Sequence, residues 1–178
     1  KKKDNNFFVA GMIGAYRKNK GYETVLKNFQ RLKKIIPNLK IETFGYDNPQ
    51  ELSQFIENRK INDFKINKFE KNIIKKIINF NVLLHPSYRE GLSVSIMQSL
   101  QYGIPVIARN IAGNKDLIKN NYNGYLFNND TEMIMYLKKI YKSPNLRNKL
   151  SRNASKTLTN SFLKNSINEK VKKFINRF

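Results

Sequence analysis

The chain has 178 residues, a formal charge of +21 and no cysteine. That length suits one domain with a hydrophobic core of its own, and the lack of cysteine excludes disulfides and Cys-ligated zinc. No apolar run approaches the ~20 residues that a membrane-spanning helix needs, and no signal-like apolar segment follows Lys1.

Apolar runs of strand length alternate with segments of helical period, which predicts a parallel α/β sheet with helices on both faces. Residues 7–13 read as a strand, 14–21 as a loop with a glycine at each end, and 22–36 as an amphipathic helix stopped by Pro37. A strand over 39–44 breaks at Gly45, and a helix runs from near Pro49 to about residue 59. Then come a short strand (64–69), a short helix (73–80) and a buried strand (82–84). A tight turn at Glu90-Gly91 leads into a helix that opens near Ser93 and closes at Gly103. A strand over 105–108, a short helix over 115–119, a strand over 125–127 and helices over 131–141, 146–159 and 166–174 complete the chain. Residues 1–6 are expected to be the remnant of a linker, and 7–178 a single Rossmann-like domain.

The charge has two readings. One is attraction to polyanions such as nucleic acid, anionic lipid or a phosphorylated substrate. The other is compositional drift, since Lys, Asn and Ile are all abundant and the basic pairs scatter over several predicted helices. None of those pairs is interleaved with aromatics as single-strand binders require. Drift is favoured, no nucleic-acid partner is expected, and the charge is compatible with an anionic membrane surface.

Two places carry chemistry. A turn bearing an acid and a glycine, where a buried strand hands over to a helix, is an anion pocket: the helix N-terminus offers unpaired amides and a positive dipole end. Glu90, Gly91, Leu92 and Ser93 occupy that turn. The loop over 14–21 joins the first strand to the first helix, where Rossmann-like folds place phosphates. It lacks GxGxxG and instead carries Arg17, Lys18 and Lys20, cations suited to a diphosphate. His85, the only histidine, is read as a packed strand-end residue, and packing is also the default for Tyr88 and Tyr102. A lone His builds no metal cluster, and no Gly-x-Ser-x-Gly, HExxH or P-loop is present.

Pro86, Ser87, Glu90, Gly91, Gly103, Pro105, Val106, Ile107, Ala108 and Gly113 match in order and spacing the donor-sugar signature of family 4 retaining glycosyltransferases (glycosyl transferases group 1). Asn123-Gly124-Tyr125-Leu126 resembles that family's Asn-Gly-x-Leu strand, and residues 14–21 resemble its first loop, usually Gly-Arg-x-x-x-x-Lys-Gly. The resemblance covers residues 7 to about 160. It implies one half, the C-terminal donor half, of a GT-B fold of two facing Rossmann-like domains.

The family's activity follows as an expectation. The donor is a nucleotide-activated sugar, a UDP-sugar first and GDP-mannose as the alternative. It is transferred with retention to an acceptor held by an N-terminal domain that this chain does not contain, and the fragment alone is expected not to transfer. The product would be a cell-surface glycan or glycolipid. The setting would be bacterial and cytoplasmic, with peripheral contact to the inner face of the membrane. Glu90 and Lys20 carry the catalytic roles that the resemblance implies: Glu90 contacts donor-sugar hydroxyls, and Lys20 clamps the diphosphate. Gly14, Arg17, Phe69, Gly91, Leu92, Ser93 and Gln98 complete the implied donor site, Phe69 standing where the base is held by backbone groups. No metal or other cofactor is implied, because cations and helix amides take its place.

Two departures stand out. Ala15 replaces the loop arginine, with Arg17 a candidate substitute. Gln98 replaces the second Glu of the Glu, seven residues, Glu pattern, which accepts from both ribose hydroxyls. An amide has one acceptor atom and no charge, so a degenerate or regulatory nucleotide-sugar module is the rival reading. Asp116 stands where many members carry Glu.

Overall fold

A computed structural model describes residues 6–160; most of the expected linker and the helix predicted over 166–174 lie outside the described residues. Six strands form one parallel sheet: β1 (Phe8–Ile13), β2 (Leu39–Phe44), β3 (Phe64–Asn67), β4 (Val82–His85), β5 (Val106–Arg109) and β6 (Gly124–Phe127). Their spatial order is β3-β2-β1-β4-β5-β6. The order reverses between β1 and β4, which pair through Ala10 with Val82 and Gly11 with Leu83. Ligands of open α/β sheets bind beyond the carboxyl ends of the strands at such a reversal.

The helices between strands are α1 (Tyr22–Lys27), α2 (Phe29–Ile35), α3 (Gln50–Asn58), α4 (Ile74–Ile77), α5 (Val94–Gln101) and α6 (Ala112–Lys115). After β6 follow α7 (Asp130–Lys142) and α8 (Pro144–Asn160). Strand alternation divides the core in two, because neighbouring side chains point to opposite faces. Phe8, Ala10, Met12, Val82, Leu84 and Ile107 pack with Val25, Phe29 and Leu32 of α1 and α2 on one face. Leu83, Val106 and Ala108 pack with Ile77, Ile96, Met97 and Leu100 of α4 and α5 on the other. Every residue of β4 is buried, so this central strand is covered on both faces. That explains its unbroken apolar run.

α5 starts and stops on local chemistry. Ser93 Oγ accepts from the Ile96 amide at 3.4 Å, an N-cap. Gly103 closes the other end at φ 69°, with its amide on the Leu100 carbonyl at 3.0 Å.

Several expected boundaries move for tertiary reasons. The helix expected over 22–36 divides at Asn28, whose Nδ2 donates to the Thr24 carbonyl and to Asp130 Oδ2 at the start of α7. The strand expected over 64–69 ends at Asn67, leaving Phe69 in the following loop. The helix expected over 73–80 contracts to Ile74–Ile77, and a short 3-10 turn, Lys18–Lys20, forms inside the first loop. The helix expected over 115–119 lies earlier, at Ala112–Lys115. It is pinned there by Asn114 Nδ2, which donates to the Arg109 carbonyl at 2.9 Å.

Candidate functional site

A cavity of about 320 Å³ opens beyond the carboxyl ends of β1 and β4. Of the residues singled out in the sequence, Gly14, Lys20, Phe69, Glu90, Leu92, Ser93 and Gln98 line it. Three chain segments, remote in sequence, thus converge on one space at the strand reversal.

The Pro86–Ser93 loop that carries Glu90 is wedged between two glycines. A Cβ on Gly21 (φ 70°) would lie 2.4 Å from the Pro86 carbonyl oxygen, and one on Gly113 would lie 2.0 Å from that of Gly91. Both positions need glycine because the loop backbone passes so close. The Tyr88 amide donates to the Asn19 carbonyl at 2.8 Å, tying this loop to the 14–21 loop. Arg109, at the end of β5, donates from Nε to the Pro86 carbonyl at 3.0 Å. Its guanidinium also lies over the Tyr88 ring, 4.1 Å from the centroid. Sequence reading missed Arg109; a charged residue directly after the apolar run Val106-Ile107-Ala108 was the available signal. At Gly91 a Cβ would meet nothing within 4 Å. Among the described residues nothing crowds that position, and Gly91 itself does not line the cavity.

Inside the cavity Lys20 Nζ donates to Glu90 Oε1 at 2.6 Å, with side-chain exposures of 24% and 12%. His85 Nε2 stands 3.1 Å from the same oxygen, though it makes no well-aligned hydrogen bond there. Burial alone would raise the Glu90 pKa. His85, Lys20 and Ser87 beside the carboxylate outweigh that and hold the pKa at about 2. Glu90 is therefore an anion that neighbouring donors keep ionised. Ser95 Oγ lies 3.5 Å from His85 Nδ1 and 3.1 Å from Ser93 Oγ, extending the polar chain to the start of α5.

Gln98 lies on the cavity wall at 3% exposure, and its amide has no hydrogen-bond partner among the described residues. A buried amide usually finds one; this one borders the cavity instead. Toward the outside, Tyr46 and Phe69, each 56% exposed, meet edge to face with centroids 6.2 Å apart. Tyr46 was not anticipated from sequence.

Arg17 goes elsewhere. Its Nε donates to Asp47 Oδ2 at 2.7 Å on the surface, beside a separate cavity of about 600 Å³ between α1 and α3. That larger cavity lacks the convergent buried polar groups of the smaller one. Ala15 is buried, and the neighbouring Tyr16 amide donates to the Tyr46 carbonyl at 2.9 Å, closing the chain over this position. Asp116 is exposed and Tyr102 caps the far end of α5; neither lines the cavity. Among the described residues no three His, Asp or Glu side chains cluster to hold a metal ion, and no helix is long and apolar enough to cross a membrane.

The family model described as Glycosyl transferases group 1 matches residues 1–157. The capsular polysaccharide biosynthesis glycosyltransferase CapM of Staphylococcus aureus is 25% identical, over 98% of this chain and 47% of that protein. Among solved structures, TarM of S. aureus in complex with UDP superposes with a TM-score of 0.83 at 18% identity, over 96% of this chain and 35% of TarM. HepE of Anabaena in complex with UDP-glucose superposes with a TM-score of 0.82 at 20% identity, over 97% of this chain and 50% of HepE. The chain thus spans half or less of each of these proteins.

Proposed function

Since the chain belongs to the glycosyl transferases group 1 family, we propose that it is the donor half of a retaining glycosyltransferase and binds a nucleotide-activated sugar, most simply a UDP-sugar. The observation that carries this is the meeting of Lys20, Glu90 and an unpartnered Gln98 in one cavity at the strand reversal. The Lys20 ammonium suits a diphosphate, and Leu92 and Ser93, whose backbone amides lead into α5, line the same cavity. The ionised Glu90 suits sugar hydroxyls, and the Gln98 amide a ribose hydroxyl. The Tyr46–Phe69 pair at the rim offers an aromatic face to a base.

In this reading the protein acts by positioning the donor and by stabilising the negative charge that develops on the departing diphosphate. Glu90 fixes the sugar, Lys20 and the loop amides take the growing phosphate charge, and no metal is needed. The acceptor is held by a second, N-terminal domain, so this fragment binds donor without transferring it. The product in this reading is a cell-surface glycan or glycolipid built by hexosyl transfer, and the relative named for capsular polysaccharide biosynthesis supports the glycan. In this reading the enzyme is cytoplasmic and works at the inner face of the membrane, where the +21 charge is favourable.

Thermal melts against a panel of nucleotide sugars test the reading. A true donor at 100 times its Kd stabilises the domain by ~2.7 kcal/mol. A panel in which no nucleotide raises the melting temperature refutes donor binding.

The neutral Gln98 and the closed-over Ala15 favour a second reading, a nucleotide-sugar module without catalytic activity. Joined to its N-terminal domain, an enzyme turns over donor and acceptor, whereas such a module binds the same donor and leaves it intact.

A further inference from the structure

The ring of His85 is 4% exposed, yet both its nitrogens meet polar groups of the site rather than apolar packing. Nε2 lies 3.1 Å from Glu90 Oε1 and Nδ1 lies 3.5 Å from Ser95 Oγ. His85 ends the central strand β4 and is paired there with Ala108 of β5, so its backbone is held by the sheet. Glu90 belongs to a loop, and its other neighbour, the ammonium of Lys20, ends a long side chain in the loop opposite. Lys20 and His85 approach the same carboxylate oxygen.

On the donor-site reading above, a diphosphate entering the cavity competes with Glu90 for the one ammonium of Lys20. A carboxylate that loses that partner in a half-closed cavity gains by turning toward water. We propose that His85 is a positioning residue: it holds the Glu90 carboxylate toward the donor sugar once the diphosphate has engaged Lys20. His85 then contributes to recognition of the sugar and not of the nucleotide.

Calorimetric titration with UDP, UDP-glucose and UDP-N-acetylglucosamine tests this on the wild type, His85→Leu and His85→Gln. The wild type should bind at least one UDP-sugar more tightly than UDP. His85→Leu should lose about tenfold for that UDP-sugar and change by less than twofold for UDP. His85→Gln, which keeps an N–H within reach of the carboxylate, should recover most of the loss. Equal losses for UDP and UDP-sugar, no loss for either, or a Gln variant that behaves like Leu would overturn the proposal. Failure of the wild type to bind any of the three ligands would instead remove the donor-site reading, and this inference with it.

Should His85→Leu not fold, the wild type supplies the readout, because its one histidine gives a single set of imidazole resonances. Saturation with UDP should shift them in the wild type and not in Glu90→Gln. A shift of the same size in both proteins, or in neither, overturns the proposal.

Discussion

Two ion pairs leave the same short loop and have nearly the same length. Lys20 meets Glu90 at 2.6 Å and Arg17 meets Asp47 at 2.7 Å. The first pair is 24% and 12% exposed, the second 64% and 35%. Water and salt screen the outer pair, and such pairs contribute little. The inner pair has given up much of its hydration, so each charge depends on the other and Glu90 depends also on His85. Losing a partner is costly there, and a diphosphate able to replace Glu90 at Lys20 has a use for the same cation. Contact distance says little about either pair; burial is what sets the cavity pair apart from the surface pair.

Lys20→Ala should break the comparison most strongly. UDP binding in a calorimeter should weaken by ~1.5–3 kcal/mol, as expected for a charge-assisted hydrogen bond. The empty domain should also melt lower, since Glu90 would keep only His85 and Ser87 nearby. Undiminished UDP binding would take Lys20 out of the site.

Glu90→Gln tests the inner pair through pH. The folded-state pKa of Glu90 is about 2, below its ordinary 4.5, so the ionised carboxylate stabilises the fold above the ordinary value. That contribution is lost as pH falls from about 4.5 through about 2. The wild type should be more stable than Glu90→Gln at neutral pH by about 1–2 kcal/mol once solvent screening is allowed for. Chemical denaturation at a series of pH values should show the gap closing across that window. A gap of constant size would mean that Glu90 is not held ionised by its neighbours.

Gln98→Glu sharpens the view of the cavity itself. Against ribose hydroxyls a carboxylate should tighten UDP binding by ~1 kcal/mol, the difference between neutral and charge-assisted hydrogen bonds. Because Gln98 is buried and has no partner among the described residues, the same change should lower the melting temperature of the empty domain. Weaker UDP binding would show that Gln98 is not a ribose ligand and would favour the non-catalytic module. Arg17→Ala should have the smallest effect, leaving both UDP affinity and melting temperature where they were. A loss of UDP affinity would show that Arg17 turns inward and stands in for the arginine absent at Ala15.

The parallel α/β sheet was legible in the sequence because its signals are contiguous. Residues 82–84 and 106–108 are apolar runs of strand length, and the helix between them begins at a capping serine and ends at a glycine. The block from Pro86 to Gly113 could be read as a ligand site for the same reason: its glycines, its acid and its helix start are close neighbours in the chain. Boundaries set from afar could not be read that way. Asn28 divides a helix by reaching Asp130, 102 residues on, and Gly113 within α6 lies against the distant Gly91 carbonyl.

The chain by itself determined the elements, their alternation and the residue types brought to the end of the sheet. Only the tertiary structure decided which of them face one another. Lys20 and Arg17 are alike in sequence, yet Lys20, which ends the 3-10 turn, points inward, and Arg17, which precedes it, stays on the surface. His85 reads as packing until the loop folds back to bring Glu90 within 3.1 Å of it. Hydrophobic period and turn chemistry act over a few residues, whereas partners and burial arise where distant segments pack across a sheet.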